Sequence, residues 1–129
     1  MLIEWREEFT TGIAALDHEH RSLIDLINAL YAALPVAKAR ADVLAFLDEI
    51  HARIAAHFAL EEKIMRARRY DGYLDHKTDH ERLLDEIRDI TDLYEDDARF
   101  DEAALVRRLT EWFAVHFRTR DARLHRHLA

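Results

Sequence analysis

Apolar residues recur along this chain in alternating steps of three and four, in four stretches separated by short polar breaks. That spacing keeps one face of a helix turned toward a common interior. The first stretch carries Leu16, His20, Leu23, Ile27, Leu30 and Leu34. It predicts a helix from about Asp17, a good N-cap residue, to Leu34, stopped by Pro35. The second predicts a helix over about 42–68, with the stripe Leu47, Ile50, Ile54, His57, Glu61 and Ile64, and Arg69 to Gly72 break it. The third predicts a helix over about 73–95, with the stripe Tyr73, His76, His80, Leu83, Ile87, Ile90 and Tyr94, and residues 96–100 break it. The fourth starts near Asp101, carries Leu105, Leu109, Trp112 and His116, and ends raggedly past Asp121. Residues 1–16 read as an irregular arm holding Trp5, Phe9 and Gly12.

Short connections place successive helices antiparallel. The expected fold is therefore all-α: an up-down-up-down antiparallel four-helix bundle over 17–124, preceded by the arm 1–16, within one domain spanning 1–129. Pairs four apart, Glu49/Arg53 and Glu62/Arg66, read as solvated helix faces. Each such pair contributes a few tenths of a kcal/mol.

Composition narrows the function. The 129 residues are half apolar, enough for one folded core. With 2 Gly and 1 Pro, a hairpin-rich barrel or a Gly-rich phosphate loop is disfavoured. The absence of Cys excludes disulfides, thiolate nucleophiles, Cys-ligated zinc and iron–sulfur clusters. A net charge of −7 gives no electrostatic footprint for nucleic acid or an anionic membrane. Charges appear at once in Glu4, Arg6, Glu7 and Glu8, and no apolar run approaches the roughly 20 residues of a membrane span. The expectation is a cytoplasmic protein with no nucleic-acid or membrane partner.

The chemistry lies in the stripes themselves. His20, His57, Glu61, His76, His80 and His116 occupy positions where Leu or Ile belongs, and every helix contributes at least one. Burying such groups without partners costs several kcal/mol each. Six would exceed the roughly 5–15 kcal/mol net stability of a domain. A bound metal offsets that cost. The spacings agree, because the His57/Glu61 and His76/His80 pairs are each four apart and share a helix face. Asp121 lies five residues after His116, which on an ideal helix turns it about 140° away. It joins His116 only if the helix end distorts, by a π-bulge or by fraying.

Five imidazoles and two carboxylates are too many for one zinc, which takes about four ligands. They are too poor in oxygen for calcium or magnesium. They suit two first-row transition ions, and the expectation is iron. If both carboxylates bridge, the protein and a bridging oxide or hydroxide fill eleven of twelve octahedral positions. One position is left for a small ligand.

These stretches resemble the hemerythrin family, in its single-domain bacterial form. The matching residues are Leu16 to His20, His57 through Met65, His76 to His80, and Trp112 through Asp121, with Trp5 and Gly12 in the arm. The resemblance implies that His76, His80 and His116 complete one iron, that His20 and His57 hold the other, and that Glu61 and Asp121 bridge the pair. It implies reversible binding of dioxygen, each ferrous ion giving one electron. By similarity of position, Leu23, Phe58, Trp112 and Phe113 line the oxygen pocket. Each is equally at home as core packing. Phe113 departs from the Leu or Ile common in the family and would narrow the pocket.

The leading expectation is thus a non-enzymatic oxygen carrier or store, its protein recipient unknown. The alternatives are an oxygen, redox or iron sensor acting through a separate partner, and a di-iron oxidase or peroxidase-like enzyme. Di-iron enzymes resemble carboxylate-rich bundles, whereas histidine dominates here. Iron storage ranks low, because a closed two-metal site holds few ions. His18 and His51 read as flank or surface residues, His125 and His127 as exposed tail residues, and Met65 as core.

Overall fold

A computed structural model describes residues 2–35, 39–97 and 101–128. Helix α1 spans Ala14–Ala32, α2 Arg40–Ala67, α3 Tyr73–Asp97 and α4 Glu102–His116. A π-helical turn over Phe117–Asp121 then leads into α5, Ala122–Leu128. The backbone stays right-handed helical through His116, Phe117 and Ala122. The fourth helix is therefore one rod with a bulge, reaching Leu128, and the ragged end expected past Asp121 is corrected. The helices pack in sequence, α1 on α2, α2 on α3 and α3 on α4. The result is the antiparallel four-helix bundle that the periodicity predicts. Among the described residues, no helix is long and apolar enough to cross a membrane.

Helix α1 begins three residues before the predicted start, with Ile13 as its N-cap residue. Asp17 is not the cap. It sits in the first turn, where its Oδ1 accepts the Thr11 backbone N–H at 2.9 Å and the Thr11 hydroxyl at 2.8 Å. Burial pushes the Asp17 carboxyl up, but these bonds outweigh it and hold the group below its usual value. The adjoining Gly12 has φ +86°, a left-handed conformation that glycine adopts freely. The arm is more ordered than expected, with a 3-10 turn over Glu7–Phe9. Asn28 of α1 pins it by accepting from the Leu2 and Ile3 N–H groups and donating to the Ile3 carbonyl. Phe9 is fully buried against the rings of Trp5, Phe113 and Phe117.

The break after α2 falls where predicted. Arg69 takes φ 52° and the chain turns through Tyr70 and Gly72. A Cβ on Gly72 would meet the Tyr70 ring at 2.7 Å, so any larger residue there would have to displace that ring. Asp101 caps α4 by accepting the Ala104 N–H at 2.9 Å. The predicted break at 96–100 ends α3 at Asp97, and residues 98–100 lie outside the described ones.

The stripes are buried along most of their length. Leu47, Ile50, Ile54, Leu83, Ile87, Leu105 and Leu109 are fully enclosed. Ile64 is the exception, 46 % exposed. Met65, four residues beyond Glu61, takes the inward position instead and is fully buried. The solvated pair Glu49–Arg53 forms at 2.7 Å. Glu62–Arg66 does not: Glu62 turns inward, and Arg66 donates to the Tyr73 hydroxyl at 3.1 Å.

Candidate metal centre

The polar stripe positions converge in one layer of the bundle. One donor atom from each of Glu61, His76, His80, His116 and Asp121 lies within 4.8 Å of all the others. His20 reaches the same layer from α1, with its Nε2 2.8 Å from Asp121 Oδ2. His57 stands at the edge, its Nε2 3.8 Å from Glu61 Oε2. All seven residues singled out in the sequence are thus brought together. The π-helical turn explains Asp121. The extra residue it accommodates rotates the carboxylate back over His116, placing Oδ1 2.8 Å from His116 Nε2.

The two carboxylates sort the five histidines into two sets. Glu61 Oε1 faces His76 at 2.5 Å and His80 at 3.2 Å, whereas Glu61 Oε2 faces His57. Asp121 Oδ1 faces His76 and His116, both at 2.8 Å, whereas Asp121 Oδ2 faces His20. Each carboxylate therefore offers one oxygen to a three-histidine set and the other to a two-histidine set.

On the three-histidine side the close approaches are not hydrogen bonds. Glu61 Oε1, Asp121 Oδ1 and the Nε2 atoms of His76, His80 and His116 are all buried with no hydrogen-bond partner. Such groups are costly to bury unsatisfied. Donors crowded together yet not bonded to one another suit a cation placed between them. Two neutral or anionic oxygen donors and three imidazoles are a first-row transition-metal ligand set. The residues present therefore fit a pair of metal ions.

Electrostatics agree. Burial pushes the His76 imidazolium down, but the carboxylates of Asp121 and Glu61 against its Nε2 more than offset this, raising it to about 9. Burial likewise raises the Asp121 carboxyl, yet the charge and contacts of His116, with those of His20 and His76, hold it well below its ordinary value.

Aromatic rings clasp the ligands. Phe117 stacks on His20 at 3.5 Å, Phe58 on His80 at 3.8 Å and Trp112 on His116 at 4.0 Å. Of the expected pocket residues, Phe58 and Trp112 thus lie directly against ligand rings. Phe113 lies one layer back, stacked on Phe117 at 4.8 Å. Leu23 lines a cleft of about 570 Å³ between α1, α2 and α5, together with His57, Glu61, Leu60, Ile64 and Leu124. His57 and Glu61 are the exposed members of the centre, their side chains 27 % and 11 % accessible, against at most 3 % for the rest. A larger cleft, about 840 Å³, lies between the arm and the outer face of α4 and touches none of these residues.

Two acidic residues escaped the sequence reading. Asp79 Oδ2 accepts from His116 Nδ1 at 2.5 Å, and Glu62 Oε2 accepts from His80 Nδ1 at 3.0 Å. Burial raises the Asp79 carboxyl, but His116, Arg120 and Arg82 outweigh it and hold it low. The available signal was position: Asp79 follows His76 by three residues, on the flank of the same helix face. Phe117, whose ring stacks on His20, also went unassigned, because spacing along its own helix does not show which ring of another helix it meets. Asp17 bonds Thr11 rather than His20, and His20 Nδ1 is buried without a partner. His18 is exposed at the mouth of the cleft, and His51 lies 3.3 Å from Arg88. His127 is exposed beside Tyr70, but His125 is half-buried in the cleft wall, which corrects its placement in an exposed tail.

Comparison with known proteins agrees with this geometry. The family described as Hemerythrin HHE cation binding domain matches residues 11–128. A bacteriohemerythrin of Ralstonia nicotianae is 31 % identical over 115 residues, covering 89 % of this chain and 80 % of that protein. A bacteriohemerythrin of Stenotrophomonas maltophilia is 31 % identical over 86 residues, covering 67 % of this chain and 56 % of that protein, so the match spans just over half its length. Hemerythrin subunit 1 of Golfingia vulgaris is 32 % identical over 83 residues, covering 64 % of this chain and 66 % of its own. No solved structure matches the chain. A four-helix bundle whose interior gathers five histidines and two carboxylates, matched by that family over almost all its length, belongs to the hemerythrin family.

Proposed function

We propose that residues 1–129 act as one hemerythrin-like domain that holds two iron ions and binds dioxygen reversibly, storing or carrying it rather than consuming it. The observation that carries this reading is the sorting of the histidines by the two carboxylates. In this reading Glu61 and Asp121 bridge, His76, His80 and His116 complete one iron, and His20 and His57 hold the other. With a bridging oxide or hydroxide, these residues would leave room for one small ligand on the two-histidine side. The bound irons supply the electrons that dioxygen takes up and later returns.

The chain's own residues serve that purpose. The cleft reaches the centre beside His57 and Glu61, the less buried end, so a small ligand approaches the incomplete half. Leu23 presents an apolar wall there, while Phe58, Trp112 and Phe113 close the opposite side against water. Five neutral imidazoles donate less negative charge than carboxylates would, which favours ferrous iron and reversible binding over high-valent oxidation. The cytoplasm remains the proposed compartment, since a chain without cysteine draws nothing from an oxidising one.

A metal count with anaerobic and aerobic absorption spectra tests the reading. Two irons per chain and an oxygen-dependent charge-transfer band that disappears on deoxygenation are expected. Oxygen that leaves as peroxide or water would make the centre an oxidase, and a spectrum indifferent to oxygen would overturn the proposal. A second reading, a sensor that passes its state to a separate partner, draws support from Leu60 and Ile64. These apolar side chains, 66 % and 46 % exposed, line the cleft beside His57. Oxygen-dependent self-association or partner binding would favour it.

A further inference from the structure

The two halves of the centre differ in what stands behind the ligands. A carboxylate only accepts, so the contact between His116 Nδ1 and Asp79 Oδ2, 2.5 Å, is an N–H donated by the imidazole. The same holds for His80 Nδ1 and Glu62 Oε2 at 3.0 Å. Both bonds place the proton on Nδ1 and leave Nε2 to face Glu61 and Asp121. His76 Nδ1 is buried with no partner, so two of the three histidines on the three-histidine side are held in this way, whereas on the two-histidine side none is. His20 Nδ1 is buried with no partner, and among the described residues His57 meets a carboxylate only through Nε2.

Asp79 is itself fixed from several directions. Its side chain is 4 % accessible, and the Arg82 guanidinium forms an ion pair with its Oδ1 at 2.8 Å. Arg120 lies 3.6 Å from its Oδ2 and also bonds Asp75 at 3.1 Å. Trp112 donates its Nε1–H to the Asp79 carbonyl at 3.2 Å while its ring stacks on His116. Asp79, Trp112 and His116 thus form one locked unit. A carboxylate that accepts the distal N–H of a ligating histidine fixes its tautomer and raises its basicity, and losing it costs about 10–100-fold in metal affinity.

We propose that Asp79 and Glu62 are positioning residues that make the three-histidine position the tighter of the two, so that the centre loads in a fixed order with this position first. The proposal rests on the paired-metal reading of the site. Loading order would matter for a bridged pair, because Glu61 Oε1 and Asp121 Oδ1 would hold the first ion while Glu61 Oε2 and Asp121 Oδ2 stay aimed at His57 and His20.

Anaerobic titration of the metal-free protein with Co(II), read by absorption and by competition with a chelator, tests this without iron or oxygen. The wild type should fill in two resolved steps. Asp79→Asn keeps the shape and one acceptor oxygen but drops the charge. It should weaken the tighter step about 10–100-fold, shift the absorption band of the first ion and leave the weaker step in place. Glu62→Gln should act on the same step to a smaller extent, and Asp79→Glu should restore part of the loss. Should Asp79→Asn fail to fold, Glu62→Gln carries the test, because its carboxylate sits nearer the surface. A tight step that neither variant changes, or an equal loss in both steps, would overturn the proposal. A wild type that takes up no Co(II) would overturn the paired-metal reading, and this proposal with it.

Discussion

The two ends of the bundle interior are built from the same four stripes, yet stability has different sources in each. At one end Leu47, Ile50, Ile54, Leu83, Ile87, Leu105 and Leu109 fill the space with fully buried apolar side chains. At the other, His20, His76, His80, His116 and Asp121 are just as buried but leave donor atoms unsatisfied. The first end is complete without any cofactor, because hydrophobic burial needs no partner of matching charge. The second is complete only with cations between its donors. One helix can therefore serve as scaffold over half its length and as ligand carrier over the rest, with no change in periodicity.

The largest expected effect separates the ends by removing metal. Thermal unfolding of loaded and stripped protein should differ clearly. Free metal at a thousand times its Kd corresponds to about 4 kcal/mol of stabilisation. Coincident melting curves would mean that the polar end is stable alone. Next in size, Ile54→Ala at the apolar end should cost about 2–5 kcal/mol, and equally in loaded and stripped protein. A cost that depends on metal would show that the ends are coupled. Smaller again, Phe113→Leu lies one layer behind the centre and should change oxygen affinity or autoxidation rate by less than about tenfold, the scale of a tolerated core swap. Unchanged values would remove Phe113 from the pocket.

The smallest effect belongs to the loop that holds α1 and His20 in place. The Asp17 carboxyl is held below its ordinary 3.8 by Thr11. Its contribution is therefore complete above about pH 4 and fades as pH falls through the lowered value. Chemical unfolding of wild type and Asp17→Asn should show the variant less stable at neutral pH and the two converging in acid. A gap that is constant down to low pH would place the effect elsewhere than in the charge.

Much of this was legible along the chain because a helix maps sequence spacing directly onto a face. Steps of three and four predicted the four helices, the breaks around Pro35 and Gly72, and the buried placement of His20, His76, His80 and His116, while His57 and Glu61 reach the same layer at its less buried edge. Residue type then narrowed the chemistry, since imidazoles and carboxylates in a core demand a cation or costly pairing. Three matters were decided only in three dimensions. The π-helical turn at Phe117–Asp121 broke the ideal period and brought Asp121 over His116. Glu62 turned inward instead of pairing with Arg66, because His80 on the neighbouring helix offered a buried N–H. Asp79 met His116 across two helices, as did the carboxylate oxygens that divide the histidines into three and two. Spacing along one helix cannot specify which atom of a side chain meets which atom of another helix, because that depends on the packing distance and rotation between them.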